Sequence, residues 1–226
     1  SATRIRQRYE YYGGDVYISF SGGLDSTVLV HMVERVLDRS IPKVFVDTGL
    51  EFPQIREFVR SFYDVEILYP EMNFKDVLLT YGYPLISKEV AAKIRKLRHG
   101  NLSERYRNYL LHGDERGKLG KLSECWKFLI DAPFDISEYC CIVMKEKPLT
   151  EYGKRTGRVP YIGITQDEGF MRQRQYNRTG CNVYLADKPK SQPLGFWPRQ
   201  DILRYAVENN LRICPVYGKI LSLIHI

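Results

Sequence analysis

The sequence predicts an α/β fold: a doubly wound, mostly parallel sheet, Rossmann-like, with a helical insertion. Three observations predict it. Short β-rich runs and amphipathic stretches alternate over residues 15–69, the pattern of parallel strands joined by crossover helices. A Ser-Gly-Gly turn joins the first strand to the first helix of that alternation. From about residue 87 to 129 the alternation gives way to a basic, helical segment interrupted by glycines.

The elements follow in order. Asp15 to Phe20 (DVYISF) is the first strand, stopped by Ser21-Gly22-Gly23. Thr27, Val28, Leu29, Val30, Met32, Val33, Val36 and Leu37 then supply the apolar positions of a helix. Lys43 to Asp47 is a second strand, ended by Thr48-Gly49. Phe52-Pro53 opens a helix through Tyr63, with proline in the first turn, where its missing N–H costs nothing. Val65 to Tyr69 is a third strand, and Tyr161 to Ile164 a further one. Arg199 to Asn209 is a helix with Ile202, Leu203, Ala206 and Val207 on one face.

Composition narrows the function. A chain of 226 residues buries roughly 70% of its unfolded surface and needs no disulfide staples. With 44% hydrophobic and 27% charged residues it is too apolar for a disordered chain. No apolar run approaches the ~20 residues of a membrane span, and no signal peptide opens the chain. Membrane proteins, secreted disulfide scaffolds and coiled coils are excluded, and a cytoplasmic location is expected. Five cysteines without a CxxC read as reduced thiols or metal ligands. The net charge of +7 points to an anionic partner, a nucleotide or a nucleic acid. Nearly all of that excess falls in 87–129, with eleven Lys and Arg against five acids. Such a segment is either a nucleic-acid surface or a solvated face that steers a nucleotide inward, and the second is favoured.

Residues 1–220 read as one α/β domain. The last six, Leu221 to Ile226, match the translation of a common sequencing-transposon end and read as a non-native tail, with a terminal apolar strand as the alternative. On that reading the natural chain continues past Ile220.

The stretch Ser19-Phe20-Ser21-Gly22-Gly23-Leu24-Asp25-Ser26 carries the most chemistry. A strand ends, two glycines permit a tight turn, and a helix begins, so backbone N–H groups and the helix dipole converge on one point. The Ser21 and Ser26 hydroxyls are added donors to phosphate oxygens, and Asp25 caps the helix or orients the loop. Neither GxxxxGK[ST] nor a strand-linked GxGxxG is present. His31, His99 and His112 lack paired metal spacing, and Cys125 and Cys214 read as apolar core.

SGGLDS resembles the pyrophosphate loop of the PP-loop superfamily of adenine-nucleotide enzymes (ATP pyrophosphatases and adenine nucleotide alpha hydrolases). Further motifs are similar to the phosphoadenosine phosphosulfate (PAPS) reductase family. Asp47-Thr48-Gly49-Leu50-Glu51-Phe52-Pro53 looks like its DTGxxFPE element, and Cys140 to Leu149 like CCxxxKxxPL. Gly163 to Arg172 follows GxRxxESxxR, with Thr165 where Arg is usual and Gly169 where Ser is usual. Gln192 to Trp197 matches the PL..W ending.

The resemblance implies that Asp47 and Thr48 lie beside the adenosine, and that Lys145, Gly163 and Arg172 join the phosphate loop in holding phosphate or sulfate. It implies thiol-dependent reduction of PAPS or of adenosine phosphosulfate (APS) to sulfite, with a thioredoxin-like or other thiol donor. The alternative on the same scaffold is an adenylating sulfurtransferase that cuts ATP with Mg²⁺, with nucleic acid bound through 87–129 as one candidate acceptor. A nucleotide-binding regulatory subunit is a third reading. Cys140 and Cys141, with Cys181, are candidate ligands of a [4Fe–4S] cluster as in APS-type reductases. No residue is named as catalytic.

Overall fold

The computed structural model describes residues 1–184 and 189–218. The tail 221–226, and the strand that was its alternative, lie outside them. The described residues form two compact units, one from 1–69 with the residues from 148 onward, the other from 70–147. The segment expected as an insertion, 87–129, falls within the second.

The first unit opens with α1 (Ala2–Tyr11), followed by β1 (Val16–Ser19), α2 (Leu24–Leu37), β2 (Lys43–Val46), α3 (Pro53–Arg60) and β3 (Val65–Leu68). The second unit carries α4 (Phe74–Tyr81), α5 (Lys88–His99), α6 (Glu104–His112), a 3₁₀ stretch Glu124–Asp131, and α7 (Tyr139–Cys141) running into a π-helical turn at Ile142–Glu146. The first unit resumes with α8 (Lys147–Thr156), β4 (Val159–Ile162), α9 (Phe170–Thr179), β5 (Asn182–Val183), β6 (Lys190–Ser191) and α10 (Arg199–Glu208).

The strands form one sheet in the order β3-β2-β1-β4-β6-β5, parallel except for β5 against β6. β1 pairs on both sides, Ser19 opposite Val44 of β2 and Ile162 of β4. Alternate residues of the strands enter opposite layers, as a period of two requires. Val16, Ile18, Phe45, Val159 and Tyr161 pack with α1, α2, α3 and α10 in the main core. Tyr17, Val44 and Leu68 face the other way, against Leu149 and Tyr152 of α8. Both faces are covered, so β1 and β2 are near-continuous apolar runs.

β4 begins two residues earlier than the pattern suggests. Val159 and Pro160 hold register with Val16 and Tyr17, while Gly163 and Ile164 leave the sheet toward the 3₁₀ turn Gln166–Glu168.

In the second unit Ala91, Ile94 and Leu97 line one face of α5 and pack with Leu110, Leu122, Leu129 and Ile136. A smaller cluster joins Val77 to Val143 and Met144. Asn73, Ser87 and Ser103 cap α4, α5 and α6, each side chain accepting from the amide three residues on. Much of the basic charge is spent inside the unit. Arg95 makes a two-pronged pair with Glu138 at 2.6 and 2.9 Å, Arg98 donates to Phe134 O, and Lys93 pairs with Glu89. Cys125, expected among apolar neighbours, is exposed, its Sγ 3.1 Å from the Ser123 hydroxyl. Among the described residues no helix is long and apolar enough to cross a membrane.

Candidate functional site

The glycine turn stands at the carboxyl end of β1. The chain runs from β1 outward to β2 and β3, then returns to place β4 on the other side of β1. The point where strand order reverses is where open α/β sheets hold their ligands.

Ser19 ends β1, and the Phe20 amide still donates to Val44 O. Gly22 has φ +70°, and a β-carbon there would stand 2.8 Å from Val59 Cγ2 and 3.0 Å from Ile55 Cγ2 of α3. Only glycine takes this conformation and this approach without strain. Gly23 precedes α2 and offers no side-chain cap, so the first-turn amides of Leu24, Asp25 and Ser26 have no capping side chain, with the helix dipole behind them.

The serine hydroxyls hydrogen-bond within the turn itself. Ser26 Oγ accepts from the Ser21 amide, lies 3.0 Å from Ser21 Oγ and donates to Gly23 O. Ser21 Oγ accepts from the Gly23 amide. The two side chains therefore brace the turn, as serine hydroxyls do when backbone groups lie within reach; Ser26 is buried and Ser21 exposed.

Gly163 closes the other wall. A β-carbon on it would lie 3.0 Å from Ser26 Cα and 3.1 Å from Ser26 N. Beyond it, Thr165 and Glu168 form a capping box in which the Thr165 amide donates to Glu168 Oε1. Thr165 is buried there, occupied with its own turn. Arg172 Nε sits 3.7 Å from Glu168 Oε2 with about half its side chain in solvent.

Two residues missed from sequence complete the surround. Arg199 Nη1 donates to Asp25 Oδ1 at 3.0 Å, and its backbone amide donates to Asp167 Oδ2 at 2.5 Å. The Tyr217 hydroxyl stands 3.1 Å from the place of a Gly23 β-carbon. Burial pushes the Asp25 carboxyl above its ordinary pKa, Arg199 pulls it down, and Glu168 adds to the upward push.

The Asp47–Thr48 loop follows β2. Asp47 Oδ1 is held by Arg56 Nη2 at 2.9 Å and by the Gly49 amide. Thr48 donates through its amide and its hydroxyl to the Glu51 carboxylate. These bonds hold the loop against the start of α3, where Arg56 Nε is buried without a partner among the described residues.

Lys145, Cys140 and Cys141 belong to the second unit, whereas the loop, Asp47, Thr48, Gly163, Arg172 and Cys181 belong to the first. Cys181 is buried, its Sγ 3.2 Å from the Tyr176 hydroxyl. Among the described residues no group of three or more Cys, His, Asp or Glu is placed to hold a metal. The described cysteines do not by themselves form the donor set of a [4Fe–4S] cluster. Burial and the adjacent Cys141 push the Cys140 thiol up, opposite to what an activated thiolate needs.

A mostly parallel sheet with a glycine turn at its switch point defines the class of open, doubly wound α/β protein with its ligand crevice at the strands' carboxyl ends. Within it, the chain belongs to the phosphoadenosine phosphosulfate reductase domain family, whose model matches residues 15–222.

It is 24% identical over 219 residues to an adenosine 5'-phosphosulfate reductase of Lysinibacillus sphaericus, covering 95% of this chain and 73% of that protein. It is 23% identical over 218 residues to an uncharacterized protein of Methanocaldococcus jannaschii, again 95% of this chain but only 36% of that protein's length. The chain thus spans about a third of one relative and three quarters of the other. Among solved structures, the phosphoadenylyl-sulfate (PAPS) reductase of Candida auris, a phosphate complex, superposes with a TM-score of 0.54 at 14% identity, covering 96% of this chain and 83% of that one. That likeness is one of fold.

Proposed function

We infer that the chain binds an adenine nucleotide at the β1–α2 turn and uses it for sulfur chemistry, the reaction being thiol-dependent reduction of PAPS or APS to sulfite. The observation that carries this is the uncapped start of α2 behind Gly22 and Gly23, clamped by Gly163. The amides of Leu24, Asp25 and Ser26 donate to phosphate oxygens. Asp47 and Thr48 border the adenosine, and Arg172 supplies positive charge to phosphate or sulfate. A thiolate attacks the sulfate sulfur and the sulfur–oxygen bond to the nucleotide breaks with its electrons on the departing phosphate, leaving a thiol S-sulfonate. A second thiol from a thioredoxin-like donor then attacks the first thiol's sulfur, and the two thiols are oxidised to a disulfide as sulfite leaves.

A second reading has its own support. Thr165 is consumed by its capping box where the family pattern has Arg, leaving one cation fewer for a sulfonucleotide. This favours ATP, with Mg²⁺ neutralising the departing pyrophosphate as a substrate is adenylated for sulfur transfer.

Calorimetric titration of APS, PAPS and ATP with Mg²⁺ into protein purified without oxygen decides between them. Preference for a sulfonucleotide, with sulfite released once a thiol donor is added, supports the reductase. Preference for ATP, with Mg²⁺-dependent pyrophosphate release, supports adenylation.

A further inference from the structure

We propose that Arg199 is a positioning residue of the phosphate loop: by holding the Asp25 carboxylate it cancels the one negative charge built into that loop, and so lets the loop accept a multiply charged nucleotide. This rests on the nucleotide reading above.

Asp25 is the second residue of α2, between the Leu24 and Ser26 amides that an anion must approach. It is the only acid between Phe20 and Ser26. Its side chain is 21% exposed, so solvent screens its charge poorly. The 165–168 turn makes matters worse, because its charged members facing this end of α2 are Glu168, which acts on Asp25, and Asp167. Arg172 is turned toward Glu168. The guanidinium of Arg199, 3.0 Å from Asp25 Oδ1, is therefore the counter-charge at this point.

The same geometry separates that role from a structural one. α10 is anchored by the Arg199 backbone amide on Asp167 and by Ile202, Leu203 and Ala206 in the core. The Arg199 side chain is 44% exposed. Removing it leaves the helix docked and strands only the Asp25 charge.

The test is a double-mutant cycle on the 226-residue protein, titrated with ATP and Mg²⁺, APS and PAPS, with the thermal midpoint and far-ultraviolet spectrum recorded for each variant. Arg199→Ala is expected to weaken the best-bound nucleotide about tenfold or more with the spectrum unchanged. In an Asp25→Asn background the same change is expected to cost less than about twofold, and Arg199→Lys to stay within about threefold of wild type. Equal losses in both backgrounds overturn the proposal, since the arginine would then act on the ligand itself. No loss from Arg199→Ala overturns it as well. If Arg199→Ala fails to fold, Arg199→Gln, which keeps the stem, is judged by the same outcomes. Wild-type protein that binds none of the three nucleotides overturns the nucleotide reading and this inference together.

Discussion

Gly163 and Ser26 approach so closely that a β-carbon on the glycine would stand 3.0 Å from the serine α-carbon. The end of β4 thus fixes the seat of the phosphate turn. Gly163→Ala should push the start of α2 outward by a few tenths of an ångström and destabilise the first unit by about 1–3 kcal/mol. Nucleotide affinity should fall about tenfold, because the amides of Leu24 to Ser26 lose their common focus. Urea unfolding and calorimetry read the two effects, and unchanged affinity in a folded variant would remove Gly163 from the site.

Gly22 has the same need for a missing side chain on the opposite wall. Its β-carbon direction runs into Val59 and Ile55 of α3, away from the space an anion would occupy. Gly22→Ala should therefore cost stability, about 1–3 kcal/mol from positive φ and crowding together. Adding Val59→Ala should recover part of the crowding cost that Gly22→Ala imposes. A double variant no more stable than the sum of its parts would show that the strain is all in the backbone.

The pair of Arg95 and Glu138 gives the second unit a defined acid response. Hydrogen bonds from Arg95 hold the Glu138 carboxyl below its ordinary pKa of 4.5, against the upward pull of burial. The unfolded chain therefore takes up this proton first as pH falls. The stabilisation is complete above about pH 4.5 and is lost as pH drops through the lower, folded value. Glu138→Gln should cost about 1–3 kcal/mol at neutral pH and flatten that acid limb. Hydrogen exchange at α5 between pH 7 and pH 3 measures both, and an unchanged acid limb would assign the pH dependence elsewhere.

Arg8 is wholly buried, with Nε and Nη2 lacking hydrogen-bond partners among the described residues. Nη1 donates to Val183 O, and the guanidinium lies 4.5 Å from the centre of the Tyr12 ring. Replacing a poorly satisfied buried cation by an apolar residue of similar length is commonly neutral or stabilising. Arg8→Met should leave the urea midpoint unchanged or higher. A loss above about 2 kcal/mol would show that the ring contact and the single hydrogen bond outweigh desolvation.

The sheet was legible because β1, β2 and β3 are short runs closed by Gly or Pro signals, and burial on both faces leaves β1 and β2 little polarity, while the half-buried edge strand β3 carries Glu66 as its only polar residue. α1 was not read, for a physical reason: only Ile5 and Arg8 of its ten residues are buried, which leaves almost no apolar periodicity. The second unit reaches beyond the basic stretch because Val77 packs with Val143 and Met144, a pairing that charge composition does not reveal. The loop around Gly22 was visible as local sequence. Arg199 was not, since its partner Asp25 lies 174 positions away and no local pattern links them. The Asn73–Asp76 pair, a side-chain cap before an apolar run, was the available signal for α4.

The insertion of a whole compact unit between β3 and β4 has a kinetic consequence. Ser19 meets Val44 after a short crossover, but it meets Ile162 only after the chain has passed through residues 70–147. Closing that long segment costs more chain entropy than the β1–β2–β3 crossovers, and such distant pairings form slowly. During synthesis the first three strands are complete while Gly163, Thr165 and Arg199 have yet to be made. The surround of the glycine turn is thus completed only after the insertion has been made, and a chain stalled in the insertion carries that turn without Gly163 or Arg199 beside it.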